Sequence, residues 1–285
     1  MDLAAELARR PVVLDGGLAT ELERRGADLS SKLWSARLLR DDPAAILDAH
    51  RAFVQAGAEV LTSASYQASF DELGEEAEAL LRRSVTLARS AEPRWVAASV
   101  GPYGAMLADG SEYRGDYGLS VHQLSEWHRP RLAVLADAGA DVLAVETMPC
   151  LAEVEAVCTE LADLAVPAWV SVSCSAAALR SGEPAAEAFA IAADCASVVA
   201  VGVNCTDPAD FTELLPVAAR VGKPVVAYPN SGEKWDAAAR RWVGCSSFAV
   251  PVVEGWLACG ARLVGGCCRV RPEDIAAVAA LVRGR

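Results

Sequence analysis

The chain has 285 residues, 53% of them hydrophobic and 22% charged, the balance of a globular protein with ample core material. Its formal net charge of -12 repels phosphate backbones and anionic lipid, so neither nucleic acid nor a membrane surface is an expected partner. No stretch approaches the roughly 18 uninterrupted apolar residues of a membrane span, and residues 1–10 carry Asp2 and Glu6 without the apolar segment of a secretory leader. A cytoplasmic location is therefore expected.

Short runs rich in Val, Leu and Ala recur at 12–16, 60–65, 95–101, 142–147, 168–174, 198–205, 224–230 and 263–268. Each has the length of a strand and is nearly all apolar, which suits strands buried on both faces of a parallel sheet. Longer segments with helical spacing lie between them. The clearest is 43–57, opened by Asp42 as N-cap with Pro43 at the first helical position and closed by Gly57. Others are predicted at 151–165 and 272–282. The junctions AGAEV (56–60), AGADV (138–142) and CGARL (259–263) repeat one helix-to-strand turn and do not form a solenoid period.

Strand–helix units in this number and a chain of this size predict a single-domain (β/α)8 TIM barrel over 1–285. A doubly wound open sheet is the second choice, but DGGL (15–18) is not the glycine-rich dinucleotide fingerprint such sheets carry after the first strand. In a barrel the C-terminal ends of the strands surround one mouth. Polar residues gather at those ends: Asp15 and then Glu21, Thr62, Ser63, Ser65 and Tyr66, Glu146 and Thr147, Asn204 and Cys205, Tyr228 and Asn230, and Cys267 with Cys268.

Nine cysteines, an odd count at irregular spacings, argue against a disulfide framework. Cys150, Cys158, Cys174, Cys195 and Cys259 read as small buried apolar residues, while Cys245 is open. By spacing alone, Cys267-Cys268 reads at least as well as a vicinal disulfide or two ordinary thiols as it does as a ligand pair. Placement at one mouth opposite Cys205 tips the balance toward a metal site, and Gly265-Gly266 are expected to supply the backbone freedom for adjacent ligands.

The stretches DGGLATELERRG (15–26), TSASYQAS (62–69), GPYGAMLADGSEYRGDY (101–117), ETMPCLAEVEAV (146–157), GVNC (202–205), YPNSGEKWD (228–236) and GGCCRVRPEDI (265–275) run through nearly the whole chain. Together they resemble the homocysteine S-methyltransferases of the short type that uses S-methylmethionine or S-adenosylmethionine. The resemblance implies zinc on Cys205, Cys267 and Cys268, with the fourth position left for the homocysteine sulfur. It also implies Asp15 and Glu146 as contacts of the amino-acid part of the substrate. Thr62, Ser63 and Asn204 follow as further substrate contacts, and Tyr66, Glu21 and Trp34 as the donor side. The family commonly reads R-T-T-P after GGCC, whereas here Arg269 precedes Val270 and Arg271. The segment 173–184 matches least.

No protein general base is required for this chemistry. His50, His122 and His128 fall in helical or pre-helical segments and read as surface or satisfied helix residues. Segments 18–41 and 103–118 are long enough to cover the mouth; Trp34 reads equally as cover or as a structural residue. Betaine-type relatives are longer, with an extension that builds oligomers, and cobalamin enzymes need further domains. The chain stops soon after its last helix, so a monomer or weak dimer is expected. A betaine- or selenocysteine-type methyltransferase of the same family and a non-catalytic zinc- or thiol-binding barrel are the alternatives.

Overall fold

The computed structural model describes residues 2–29, 34–236 and 241–284. The barrel strands are β1 (Val12–Val13), β2 (Val60–Thr62), β3 (Trp95–Val100), β4 (Val142–Met148), β5 (Ala168–Val172), β6 (Val198–Asn204), β7 (Val225–Tyr228) and β8 (Ala261–Val264). They form one 8-stranded sheet in the order β1-β8-β7-β6-β5-β4-β3-β2, every pair parallel. A parallel bridge between Leu14 and Val60 closes the ring, with Glu59 N donating to Val13 O at 2.8 Å and Asp15 N to Val60 O at 3.1 Å. The (β/α)8 barrel expected from the sequence is therefore the fold.

The barrel helices are α1 (Pro43–Ala56), α2 (Ala77–Ser90), α3 (Val121–Asp137), α4 (Leu151–Leu161), α5 (Ala185–Asp194), α6 (Phe211–Ala219), α7 (Val250–Ala258) and α8 (Pro272–Arg283). Helix α1 begins where its sequence signals put it, with the Asp42 carboxylate accepting from Ala45 N at 3.1 Å, and ends at Gly57, whose φ is 102°. Helix α4 stops short of the expected residue 165. Its last helical residue is Leu161, with Ala162 as its C-cap. Two short antiparallel hairpins, Cys174–Ser175 with Ala178–Leu179 and Lys234–Asp236 with Arg241–Val243, lie outside the barrel sheet.

Strand alternation divides the apolar residues between two clusters. Val12, Leu14, Val60, Trp95, Ala97, Val142, Ala144, Trp169, Ala200, Val226 and Leu263 fill the barrel interior, together with Leu3 and Leu7 of the N-terminal helix Leu3–Leu7. Their neighbours Val13, Leu61, Val96, Leu143, Val170, Val201 and Val264 pack outward among the helices. Followed toward the C-terminal ends, the inward positions change character. Ala97 leads to Ser99, Ala144 to Glu146, Trp169 to Ser171, Ala200 to Asn204 by way of Gly202, and Val226 to Tyr228. The barrel is apolar at its floor and polar at its mouth.

Two side-chain readings change, those of His50 and Cys259. His50 on α1 and His128 on α3 are both fully buried, and His128 is the satisfied helix residue expected. His128 Nε2 meets Glu153 Oε1 at 2.9 Å, whereas neither ring nitrogen of His50 has a hydrogen-bond partner among the described residues, and burial lowers its pKa to about 4. Cys259 is exposed because it caps α7 just before the turn at Gly260, a place where a helical apolar pattern has already ended.

Candidate functional site

Cys205 follows β6 directly, and Cys267 and Cys268 follow β8 by way of Gly265 and Gly266. Their three Sγ atoms lie within 4.8 Å of one another, the one such cluster of ligand-type side chains among the described residues. Tetrahedral zinc, about 2.3 Å from each thiolate, sets sulfurs about 3.8 Å apart, a spacing inside the separation found here. The donor set thus fits a thiophilic metal with one position left for a further ligand. Hydrogen bonding with Cys205 and with each other splits the adjacent pair: Cys268 is held well below the ordinary thiol value and Cys267 well above it.

Backbone geometry makes this meeting possible. Cys205 has a left-handed φ of 47°, which costs a non-glycine residue about 1–3 kcal/mol unless its surroundings enforce it. Its carbonyl accepts from Arg180 Nη2 at 3.2 Å and from Ser173 Oγ at 3.3 Å, which hold the turn in place. Neither Gly265 nor Gly266 has a positive φ, so torsional freedom is not why they are glycine. They are there because side chains do not fit: a Cβ on Gly265 would lie 2.6 Å from Asp15 O, and one on Gly266 2.1 Å from Val270 Cγ1. The left-handed residue of this turn is Arg269, with φ 68°. Its N–H donates to Thr20 Oγ1 at 2.9 Å, and its guanidinium pairs with Glu233 at 3.2 Å.

The carboxylates of the mouth are buried and anchored. Asp15 accepts from Thr62 N at 2.8 Å and from Thr62 Oγ1 at 3.1 Å. Burial raises its carboxyl well above the usual range, against the opposing pull of the Thr62 bonds. Glu146 accepts from Ser99 Oγ, and burial pushes it up to about 7 although that bond favours the anion. Ser63 Oγ accepts from Ser99 N at 3.1 Å and shares a 2.7 Å hydrogen bond with Ser65 Oγ, fixing the serine that holds Glu146. Asp15, Thr62, Ser63, Tyr66 and Glu146 all line one cavity with the three cysteines. Its empty volume is about 830 Å³ including the open mouth.

Asn204 is fully buried and is not among the cavity-lining residues. Its Oδ1 accepts from Thr147 N at 2.8 Å and from Ser171 Oγ at 2.9 Å, and its Nδ2 donates to Thr147 Oγ1 at 2.8 Å. These bonds hold Thr147 at a φ of 65°, rare for a β-branched residue. Alternation alone would turn Thr147 away from Glu146; the left-handed step lets both line the cavity. Asn204 is therefore a positioning residue beneath the site.

Glu21 is not among the cavity-lining residues either. Its carboxylate turns to Arg25 at 2.6 Å and Arg24 at 2.7 Å, on its own helix Leu18–Arg24. Trp34 opens the helix Trp34–Asp41, and its side chain lies outside the described residues. Segment 18–41 nevertheless reaches the cavity through Leu18, Ala19 and Thr20, and segment 103–118 through Glu112 and Tyr113. The sequence reading named that second loop but not those two side chains. It also missed Arg180, in the poorly matching segment 173–184, which braces the Cys205 carbonyl and lies over the Tyr113 ring at 5.4 Å. Among the described residues, the lining carries the carboxylates Asp15, Glu112 and Glu146 beside the thiols, and no Lys, Arg or His.

Fold and site together define a (β/α)8-barrel protein with an acidic three-thiol pocket at the C-terminal mouth of its strands. Residues 12–282 match the family model described as homocysteine S-methyltransferase. The chain belongs to the homocysteine S-methyltransferase family. It is 40% identical to the homocysteine S-methyltransferase YbgG of Bacillus subtilis, over 95% of this chain and 94% of that protein. It is 44% identical to a selenocysteine Se-methyltransferase of Brassica oleracea, over 93% of this chain and 87% of that one. The metallated form of the homocysteine methyltransferase MmuM from Escherichia coli has the same fold, with a TM-score of 0.86 and 41% identity, covering 97% of this chain and 98% of its own.

Proposed function

We propose that this chain transfers a methyl group from a sulfonium donor, S-methylmethionine or S-adenosylmethionine, to the sulfur of L-homocysteine, giving methionine. Zinc is the metal that Cys205, Cys267 and Cys268 would hold. The observation that carries the reading is the convergence of these thiols in a cavity lined, among the described residues, by carboxylates and by no cationic side chain. Such a cavity selects positively charged groups and rejects anions. Both proposed reactants bring positive charge, an ammonium on one and a sulfonium on the other.

A free thiol has a pKa of about 8.5 and reacts as the thiolate. Zinc, when bound, takes the proton off a coordinating thiol and so supplies thiolate at neutral pH. Asp15 and Glu146 receive the substrate ammonium, whose charge favours the ionised form of both buried carboxyls. Thr62 and Ser63 act through Asp15 and Ser99, keeping the two acids fixed while substrates come and go. The thiolate of the substrate attacks the donor methyl carbon in line. One S–CH3 bond forms as the other breaks, and its electron pair stays on the donor sulfur, leaving two neutral thioethers. No proton moves in that step, which agrees with a cavity lining that holds no histidine.

The test is methyl transfer to homocysteine assayed with S-methylmethionine, S-adenosylmethionine and betaine side by side, with a selenocysteine acceptor arm prompted by the Brassica relative. Methionine formed from a sulfonium donor supports the reading. Transfer from betaine alone, or from none, overturns it.

A further inference from the structure

Glu112 lies on the turn Ser111–Tyr113, well outside every strand end. It is nonetheless only 8% exposed and lines the cavity, and its Oε2 is buried without a hydrogen-bond partner among the described residues. A buried carboxylate in that condition is costly and is kept only where something pairs with it. The fold goes to some length to place it. A Cβ on Gly104 would lie 2.4 Å from Glu112 N and 2.8 Å from a Tyr117 ring carbon, so the turn is packed directly onto the short helix Tyr103–Leu107. That helix is tied down in turn, its Tyr103 N–H donating to the buried Glu153, which also meets His128.

Beside Glu112 stand two aromatic rings that line the same cavity, Tyr66 and the 38% exposed Tyr113. Arg180 over the outer side of this wall fixes Tyr113 but is itself no part of the cavity lining. Burial raises the Glu112 carboxyl above its ordinary value, and the Cys205 and Asp109 charges push the same way. Its own backbone bond and Arg114 on the same loop pull it back only in part. A buried acid that shares one cavity with two aromatic rings and three thiols, with a carboxylate oxygen unpaired among the described residues, suits a cation without N–H donors.

We propose that Glu112, with the Tyr66 and Tyr113 rings, forms the subsite that holds the sulfonium charge of the methyl donor. The inference rests on the proposed methyl transfer and adds the residues that recognise the donor. The sulfonium sulfur is drawn to the carboxylate while its methyl faces the thiols. Charge is what the subsite reads, so methionine, the neutral thioether left when S-methylmethionine loses its methyl, binds there poorly.

Calorimetric titration of the as-isolated protein with S-methylmethionine, S-adenosylmethionine and methionine tests this without requiring turnover. Wild type should bind at least one sulfonium well ahead of methionine. Glu112→Gln should weaken that binding by at least about 30-fold, equivalent to roughly 2 kcal/mol, while homocysteine binding stays as in wild type. Tyr113→Leu, at a half-open position that tolerates substitution, should weaken it several-fold. Unchanged sulfonium affinity in Glu112→Gln overturns the subsite, as does a wild type that binds methionine as tightly as S-methylmethionine. Glu112-dependent sulfonium binding without methyl transfer to homocysteine supports the subsite and refutes the proposed reaction, so the two failures are distinct.

Discussion

Truncating Asn204 to alanine should destabilise the barrel far more than its single short side chain suggests. Three hydrogen bonds disappear, and their partners do not suffer equally. Ser171 Oγ keeps the Tyr228 hydroxyl at 2.6 Å, so its loss is partial. Thr147 N has no replacement, and an orphaned buried amide costs about 1–3 kcal/mol. The two side-chain bonds add about 1 kcal/mol each, for a total of roughly 3–5 kcal/mol. For a chain of this size that lowers Tm by about 10 °C. The assay is reversible urea unfolding with a parallel thermal scan on wild type, Asn204→Ala and Asn204→Asp. Because Thr147 adjoins Glu146, a released Thr147 should also raise KM for the amino-acid substrate, with bound metal retained through the three thiols. A loss below about 1 kcal/mol, or lost metal with unchanged stability, would refute the assignment of Asn204 as the clamp on Thr147.

Cys267→Ser should abolish metal binding while leaving the barrel folded, since Cys267 N, which donates to Pro229 O at 2.7 Å, is untouched; elemental analysis beside circular dichroism decides it, and full metal content in the variant would remove Cys267 from the ligand set. Glu146 titrates near 7 in the fold against an ordinary 4.5, so the protonated form is favoured by folding, and stability present below about 4.5 is lost as pH rises through about 7. Glu146→Gln should remove that loss, gaining about 3 kcal/mol over wild type above pH 7 in unfolding titrations without substrate or metal. His50 carries the opposite sign, its pKa lowered from 6.5 to about 4 by burial, so its neutral form stabilises above 6.5 and that contribution drains away as pH falls toward about 4. His50→Leu should flatten the acid limb of the stability curve, and an acid limb identical to wild type would show that the buried imidazole does not control it.

The barrel was legible because each strand is a short apolar run and each major helix carries its own caps, as at Asp42, Pro43 and Gly57. The thiol trio was legible only when strand order was added to spacing, since Cys205 and Cys267 are far apart in sequence. What escaped was everything set by loops and side-chain direction. Glu21 sits on the first helix after Asp15, but its two arginine neighbours on that helix claim it. Asn204 stands next to a thiol in the chain, yet strand parity sends its amide under the mouth to Thr147. Gly265 and Gly266 were right for a reason sequence does not reveal, the approach of Asp15 O and Val270. Glu112 and Arg180 had no periodic pattern around them to mark them. A buried acid on an irregular turn looks, in sequence, like any solvated one.

The helix Leu3–Leu7 fills the floor of the barrel, where Leu3 and Leu7 are each 1% exposed against the interior layer. Among the described residues this helix plugs the end of the barrel opposite the mouth, so the cavity above it is reached from the mouth side. Cys205, 4% exposed, lies deep within it, and Tyr113, 38% exposed, stands at the brim. Entry past the brim imposes a queue: the molecule destined for the thiols should enter before the one that rests against Tyr113, and leave after it. Steady-state kinetics should therefore show an ordered sequence rather than random arrival, with the sulfur acceptor first in and the methylated product last out.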